Sequence, residues 1–211
     1  MGRELVQGKV AMRTPSRTIS RPTLWQKGLL ERILKKSRGP MEKLEREFSK
    51  QKTGDRMLAM KNAIHITLHE DGYSKELRAA VIARKAGETT DLMFAAALEL
   101  FEDECGKLCD DAGRMAEDLL LRVSDESVCE KLSYIKPTSM LSKGTEKKRE
   151  RTATVLAKMC RHVSFKAERL VEKITDNVSM LEQNGNEMEQ KAAVVFLNNV
   201  KVQVIDVPAV A

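Results

Sequence analysis

The sequence predicts an all-α protein, a multi-helix bundle arranged either as one unit or as two helical subdomains. Apolar residues recur at spacings of three and four along most of the 211 residues, which is the pattern of amphipathic helices. Aromatic residues make up only 4% of the chain, whereas eleven Met are present, so flexible aliphatic side chains must fill the core. A short extended segment is expected at the C-terminus.

Helix boundaries follow from capping residues and from Gly and Pro. Asp55 and Ser74 are expected to cap the helices that follow them, because their side-chain oxygens can accept from the free N–H groups of a first turn. Gly106 and Gly113 weaken a longer helix, where we expect a kink or short break. The Leu run at 119–121 indicates a buried helix. The expected helices cover residues 23–38, 41–48, 57–68, 75–86, 90 or 91 to 109, 115–123 and 125–136.

A linker and a long helix follow. Residues 137–144, which read Pro-Thr-Ser-Met-Leu-Ser-Lys-Gly, are rich in turn-forming residues and predict a linker with a domain boundary. Beyond it, apolar residues continue at helical spacing over 155–181. One helix of about ten turns is therefore expected from Thr145 to about Gln183.

The end of the chain changes its pattern. Val200, Val202 and Val204 alternate with other residues, which leaves three interpretations open: a helix extension from Gln190, a disordered tail, or a strand that pairs with another copy. The predicted organisation is a basic flexible arm at 1–20, an N-terminal helical domain at 21–136, the linker at 137–144, a long C-terminal helix region at 145–190 and a tail at 191–211.

The net charge of +6 is divided into blocks of opposite sign. Residues 1–50 carry 13 Lys or Arg and 5 Asp or Glu, residues 87–135 carry 4 and 13, and residues 136–174 carry 11 and 4. Such blocks indicate internal pairing, head-to-tail self-association, or an anionic partner for the basic blocks.

Two clusters of cations are the candidate sites for binding RNA or anionic lipid. Either could contact phosphates in a salt-sensitive way. One cluster crowds the start of the long helix, where the helix dipole disfavours positive charge, and this weakens a purely structural explanation. The alternative is a solvated surface that balances the acidic block at 87–135. The candidate residues are Lys143, Lys147, Lys148, Arg149 and Arg151, and Arg32, Lys35, Lys36 and Arg38.

No catalytic residue, metal site or cofactor is expected. Cys105 and Cys109 stand one helical turn apart, and Cys160 lies two residues before His162, but a zinc site usually needs a tight Cys-x-x-Cys pair. No nucleophile elbow or phosphate-binding glycine loop is evident. The irregular Cys spacing, with no signal peptide and no apolar run of ~20 residues, favours a cytoplasmic or nuclear protein, compatible with peripheral membrane association.

Two stretches resemble the matrix protein of influenza-type viruses. Residues 21–30 read Arg-Pro-Thr-Leu-Trp-Gln-Lys-Gly-Leu-Leu and are similar to that family's Arg-Pro-x-Leu and Lys-Gly-Ile-Leu segment. Residues 66–69, Ile-Thr-Leu-His, with Lys-Glu-Leu at 75–77, are similar to its Ile-Thr-Phe-His and Lys-Glu-Ile segment. The family's basic Arg-Lys-Leu-Lys-Arg run and Cys-Cys-His-His cluster have no clean counterpart. The resemblance implies a virion protein that oligomerises beneath an envelope and contacts anionic lipid and ribonucleoprotein.

Two functions are therefore open, both non-enzymatic. The first is a structural assembly protein that forms homo-oligomers and binds RNA or ribonucleoprotein, or anionic membrane, through basic helical surfaces. The second is an all-helical adaptor or regulatory protein whose long C-terminal helix packs against a partner protein. Under the first, replacing the cations at 147–151 by Glu should abolish binding and leave thermal stability unchanged.

Overall fold

Ten helices joined by short turns make up residues 39–201, the part of the chain that the computed structural model describes. No β-strand is present in this range, and the all-α prediction is confirmed. The helices are α1 (39–50), α2 (Arg56–Asp71), α3 (Lys75–Ile82), α4 (Glu88–Asp103), α5 (Gly106–Leu119), α6 (Asp125–Tyr134), α7 (Pro137–Leu141), α8 (Glu146–Val163), α9 (Glu168–Asn184) and α10 (Glu187–Lys201).

The predicted caps of α2 and α3 are confirmed. The Asp55 side chain accepts from the backbone N–H groups of Met57 and Leu58, and the Ser74 hydroxyl accepts from that of Leu77. Each bond satisfies a donor of the first turn that has no partner inside the helix. These two starts are therefore fixed by residues within three positions of the cap.

The short break expected at Gly106 is confirmed, and it divides the helix predicted to run to residue 109 into α4 and α5. α4 ends at Asp103, the backbone of Glu104 is extended, and α5 begins at Gly106 with a φ of +65°. Glycine adopts this left-handed conformation without the steric strain that a Cβ would cause. The residue predicted to weaken a helix therefore begins a new one.

The break expected at Gly113 is absent: α5 continues through this residue, which lies where α5 packs against α4. A Cβ atom on this residue would lie 2.9 Å from Cδ2 of the buried Phe101 side chain on α4. Real Cβ contacts are longer than this, so a larger residue would require the Phe101 ring or its helix to shift. Glycine has a low helix propensity, but at this position it leaves room for the Phe101 ring.

The Leu run at 119–121 was predicted to lie in a buried helix, and this is wrong for its last residue. Leu119 ends α5 and is fully buried, and Leu120 is buried in the turn that follows. Leu121 points into solvent and is 69% exposed. The reason is that the chain leaves the helix at this point, so the side chain no longer shares the buried face of α5.

The prediction of a linker at residues 137–144 is corrected by the structure. Pro137–Leu141 form α7, in which Pro137 and Leu141 are buried. Proline is compatible with a first helical turn because the N–H it lacks would have no partner there. α7 packs against α8, α9 and α10, so this segment belongs to the helical core.

The long helix predicted over 145–183 is also corrected. The chain turns at residues 164–167, between α8 and α9, where the backbone N–H groups of Lys166 and Ala167 both donate to the carbonyl of Val163. An unbroken helix of that length would extend for about 58 Å and leave most of its apolar stripe uncovered. Folding back lets α8 and α9 both pack against α10.

One hydrophobic core joins the two halves of the described chain, from Met41 on α1 to Leu197 on α10. α5 packs against α2, α3 and α4 and also against α8, and α6 packs against both α4 and α8. The core is therefore continuous across the position at which the sequence predicted a domain boundary.

The last described helix answers part of the question about the C-terminal segment. α10 is helical through Lys201 and buries Ala192, Ala193, Phe196 and Leu197, so the part of the predicted tail between 191 and 201 is a packed helix. Residues 202–211 lie outside the described residues. So do residues 1–38, with the predicted basic arm and the helix expected from Thr23. None of the described helices is long and apolar enough to cross a membrane.

Candidate anion-binding interface

The first turn of α8 brings together the cluster of cations that the sequence singled out at 143–151. Thr145 caps this turn, with its hydroxyl accepting from the backbone N–H of Lys148 at 3.3 Å. The turn lies beside the C-terminal end of α4 and the first turns of α5. Each cation of the cluster has to be judged by the groups that it meets there.

Lys148 explains why positive charge is tolerated at the start of a helix. Its Nζ donates to the backbone carbonyls of Glu102 at 3.0 Å and Glu104 at 2.7 Å. These carbonyls stand at the C-terminal end of α4, where the helix dipole is negative and the carbonyl groups have no partner within the helix. Lys148 is unfavourable for α8 but favourable for α4, so the position has a structural cause.

Lys147 and Arg151 form ion pairs with the acidic helix α5. Lys147 Nζ lies 2.7 Å from Asp110 Oδ2, and Arg151 Nη1 lies 2.9 Å from Glu117 Oε1. Glu117 also accepts from Lys158 at 2.6 Å, and only 12% of its side chain is exposed. Two cations therefore share one carboxylate at the contact between α5 and α8, where screening by solvent is weaker than at the surface.

Arg149 is buried, with 8% of its surface exposed. Its Nε donates to the carbonyl of Gly144 at 3.1 Å, while its Nη1 is buried without a hydrogen-bond partner. Glu189, at the start of α10, has a pKa lowered first by a hydrogen bond from Ser142, then by one from the backbone of Asn186, and to a smaller extent by the charge of Arg149. A polyanion outside the fold could not reach this guanidinium.

Lys143 is the one member of the cluster at 143–151 whose side chain forms neither an ion pair nor a hydrogen bond within residues 39–201. It is exposed and lines a cavity of about 330 Å³ together with Lys136, Glu102 and Tyr134. Burial raises the pKa of Glu102 in this cavity, and the neighbouring Asp103 carboxylate raises it further. The wall of the cavity is therefore mixed in charge rather than basic.

α5 is also paired on the side that faces α2 and α3. Asp118 accepts from Arg78 Nε at 2.8 Å and from the Tyr73 hydroxyl at 3.1 Å, and Asp111 accepts from the backbone N–H of Tyr73 at 3.2 Å. Burial, together with Asp118, raises the pKa of Tyr73. The acidic block at 87–135 thus binds basic residues on two sides, which is the internal pairing that the charge blocks left as one of three interpretations.

The sequence did not predict these partners, although it contained one signal of them. Opposite block charges at 87–135 and 136–174 favoured some internal pairing. The sequence did not predict that Lys148 binds carbonyls at the end of α4. It also did not predict that two cations share the carboxylate of Glu117. Both depend on how α4, α5 and α8 pack, and no local spacing reports that.

The second predicted cluster, Arg32, Lys35, Lys36 and Arg38, lies outside the described residues. The charge of the segment that contains this cluster, residues 1–38, can be compared with that of residues 39–201. Residues 1–38 carry 10 Lys or Arg and 2 Asp or Glu, whereas residues 39–201 carry 27 and 28. The described body is nearly neutral, and the positive excess of the chain stands in its first 38 residues.

The Cys and His residues do not assemble a metal site in the described part of the chain, where no three His, Cys, Asp or Glu side chains meet in a suitable arrangement. Cys160 is fully buried, and burial raises the pKa of its thiol to about 12. His162 Nε2 lies 3.1 Å from Asp125 Oδ1, close enough for an ion pair but not aligned as a hydrogen bond. Thiolate chemistry at Cys160 is disfavoured by its surroundings.

Comparison with known proteins found no protein-family model, no curated protein and no solved structure that matches this chain.

Proposed function

We propose that this chain is a non-enzymatic assembly protein that binds phosphate groups of RNA or of an anionic lipid surface, chiefly through the basic residues of 1–38. The observation that carries the proposal is the division of charge: 10 Lys or Arg against 2 Asp or Glu in residues 1–38, next to a nearly neutral body. Cations that release counterions on binding phosphates supply most of a non-specific affinity.

The ion pairs of the body support the same assignment. Lys147, Lys148 and Arg151 already bind α4 and α5, so contacts with a polyanion would have to replace internal bonds. Binding would then cost part of the free energy of folding. Arg32, Lys35, Lys36 and Arg38 are consequently the stronger candidates of the two predicted clusters, and the resemblance to the matrix family of influenza-type viruses agrees with this function.

The test uses the full chain and two variants with the same change of charge. One replaces Arg32, Lys35, Lys36 and Arg38 by Gln. The matched control replaces Lys52, Lys75, Lys173 and Lys201 by Gln; these four are exposed and form no ion pair within residues 39–201. Binding to RNA and to vesicles containing phosphatidylserine is measured across a range of salt concentrations.

We expect the 32–38 variant to lose about tenfold or more in affinity at low salt, and the slope of log affinity against log salt to fall by about 3. The control variant should stay near the wild type. Equal losses in the two variants would show that only net charge matters and would remove the assignment to 1–38. No binding by the wild type at ~50 mM salt would end the proposal altogether.

The structure changes the effect on thermal stability that we expect from the substitutions at 147–151. Replacing Lys147, Lys148, Arg149 and Arg151 by Glu would place like charges beside Asp110 and Glu117 and bury one of them at position 149. We now expect a large loss of thermal stability, in contrast to the expectation from sequence. These substitutions cannot therefore serve as the binding test.

Self-association stays part of the proposal, but the charge blocks at 87–135 and 136–174 do not support it, because their charges pair with each other within one chain. Analytical sedimentation across a range of protein concentrations tests it, and a mass equal to the monomer throughout would contradict it. The adaptor function rested on one uninterrupted C-terminal helix. Because that helix is divided at 164–167 and packs internally, we do not carry this alternative further.

A further inference from the structure

The cavity that Lys143 lines is formed by residues of α4, the end of α6 and the short helix α7. Its volume of about 330 Å³ falls within the range of small-molecule sites, roughly 300–1,000 Å³. Leu98, Ile135 and Met140 supply an apolar part of its wall. Apolar surface combined with a few polar groups is the usual composition of a ligand pocket.

One face of α7 and its two flanking residues forms a wall of this cavity. The residues on this face are Lys136, Ser139, Met140 and Lys143. Their spacing of three, four and seven residues is that of one side of a helix. Lys136 is the N-cap of α7 and Lys143 follows its last turn, so the two cations stand at opposite ends of α7, about 10 Å apart along its axis.

The two cations of this face are free of internal contacts. Lys136 and Lys143 are exposed, and neither side chain forms an ion pair or a hydrogen bond within residues 39–201. Lys147 and Lys148, in contrast, are bound to Asp110 and to carbonyls of α4. An anion between Lys136 and Lys143 would therefore replace no contact of the fold, and both flexible side chains can approach it.

Two carboxyl groups of α4 also line the cavity. Glu99 Oε1 lies 3.2 Å from Lys131 Nζ, so the charge of Glu99 is paired. Glu102 forms no ion pair within the described helices, and burial, followed by the charge of Asp103, raises its pKa. The cavity thus offers two free cations and one free carboxyl group. This combination suits a ligand that is an anion at one end and carries N–H donors at the other.

An exposed aromatic ring completes the wall. Tyr134 is the last residue of α6, is 78% exposed, and its hydroxyl group has no hydrogen-bond partner in the part of the chain that the structure describes. The preceding turn of α6 is held in the core by the buried Leu132. Aromatic rings beside cations bind nucleotides, because the base stacks on the ring while the phosphate contacts the cations.

We propose that this cavity binds one nucleotide, with the base stacked on Tyr134 and the phosphate held between Lys136 and Lys143. The carboxyl group of Glu102, in the same wall, accepts from an amino group of the base, as carboxylates accept from cytosine N4. The nucleotide is either free or part of an RNA strand. The site is separate from residues 1–38, so the inference goes beyond the proposed function and does not depend on it.

The first experiment measures the binding of cytidine monophosphate to the full chain by equilibrium dialysis at ~150 mM salt, where non-specific ionic contacts are screened. One variant carries Tyr134→Ser, which removes the ring, and another carries Lys136→Gln with Lys143→Gln, which removes the two cations. Both sets of side chains are exposed, so the fold should be kept.

Matched controls make the same kinds of change elsewhere. Phe165→Ser removes another exposed aromatic ring, and Lys173→Gln with Lys201→Gln removes two exposed cations that form no ion pair within residues 39–201. Both controls should bind cytidine monophosphate as the wild type does.

We expect Tyr134→Ser to lower the affinity for cytidine monophosphate about fivefold or more through lost stacking. The double Lys variant should lower it about tenfold or more, because two charge-assisted contacts are lost. The absence of saturable binding by the wild type up to ~5 mM nucleotide would overturn the inference, and so would equal losses in the variants and their controls.

The second experiment tests whether the base is recognised or only the phosphate. Glu102→Leu removes the carboxyl group and its negative charge at similar size. If the base contacts Glu102, this variant should bind cytidine monophosphate about fivefold or more weakly. If the cavity takes only an anion, the variant should bind it equally or more tightly, and inorganic phosphate should compete as well as the nucleotide does. Either of these last two results would overturn the inference.

A third measurement separates the two sources of the nucleotide. A short cytidine oligonucleotide of RNA is bound to the full chain with Arg32, Lys35, Lys36 and Arg38 replaced by Gln, with and without Tyr134→Ser. A loss of about fivefold or more on Tyr134→Ser assigns the site to RNA, whereas unchanged RNA affinity with lost mononucleotide binding assigns it to free nucleotides.

The failures of the two proposals can be told apart. If the wild type binds cytidine monophosphate but neither RNA nor vesicles, the function proposed for 1–38 fails and this site remains. If it binds RNA through 1–38 but no mononucleotide, the reverse holds.

Discussion

α8 and α9 come from one stretch that the sequence predicts as a single helix, yet the fold uses them differently. α8 buries nine residues and packs against α5, α6, α7 and α10, whereas α9 buries only Ile174 and Val178. Both carry an apolar stripe in the sequence. The difference teaches that a stripe sets which face of a helix can be buried, while the number of neighbouring helices sets how much of it is buried.

The charges of the two helices differ in the same way. Lys147, Arg151 and Lys158 on α8 pair with carboxylates of α5. No charged side chain of α9 forms an ion pair within residues 39–201, although the helix carries Glu172, Lys173 and other charges. Both helices are rich in charged residues, but only those of α8 form ion pairs, because α8 faces the acidic helix α5.

The largest expected effect tests the burial of the two stripes. Leu156 on α8 is 1% exposed, so Leu156→Ala should lower the free energy of unfolding by about 2–5 kcal/mol through lost burial and a residual cavity. Leu170→Ala on α9 is the matched change at a partly buried position, where we expect about 1 kcal/mol or less. Urea denaturation at neutral pH measures both. Similar losses would show that α9 is as well packed as α8 and would remove the distinction.

An intermediate effect tests the charges. Glu117→Gln leaves Arg151 and Lys158 without their shared carboxylate in a partly buried site, and we expect a loss of about 1–3 kcal/mol, between the values for exposed and buried pairs. Glu172→Gln removes an exposed carboxylate of α9 and should change stability by about 0.5 kcal/mol or less. Denaturation of both variants measures the effect, and a neutral Glu117→Gln would mean that the α5–α8 ion pairs do not stabilise the fold.

The smallest expected effect is on the pH dependence of stability, through the ion pair between Asp125 and Lys166 in the turn between α8 and α9. The hydrogen bond from Lys166 lowers the pKa of Asp125, with the charges of Lys166 and His162 adding to the shift and desolvation opposing it. Since the folded pKa lies below the unfolded value, this carboxylate contributes stability above about pH 4 and loses it as the pH falls further. Asp125→Asn should therefore destabilise slightly at neutral pH and not at pH ~2.

The measurement is the free energy of unfolding as a function of pH. The control is Asp176→Asn on α9, the same substitution at an exposed carboxylate that has no ion pair within the described residues. If the loss of stability in Asp125→Asn did not change with pH, this would contradict the ion pair between Asp125 and Lys166.

Much of the fold could be predicted because helix formation depends on nearby residues. Asp55 and Ser74 cap α2 and α3 by bonds that reach two or three positions along the chain. For the candidate site, the sequence predicted which residues are present but not which groups they contact. The sequence placed five cations at 143–151, but Lys148 binds carbonyls more than forty residues away, and that choice of partner has no local signal.

What the sequence by itself determined is the all-α class, the capped helix starts and the positive excess of residues 1–38, because these depend on short-range hydrogen bonds, side-chain periodicity and residue counts. Only the tertiary structure decided that the chain turns at 164–167, that Glu117 is shared by two cations, and that Leu121 and Phe165 are exposed. Each of these depends on which helices pack together, and burial across the whole core, rather than any local pattern, selects that arrangement.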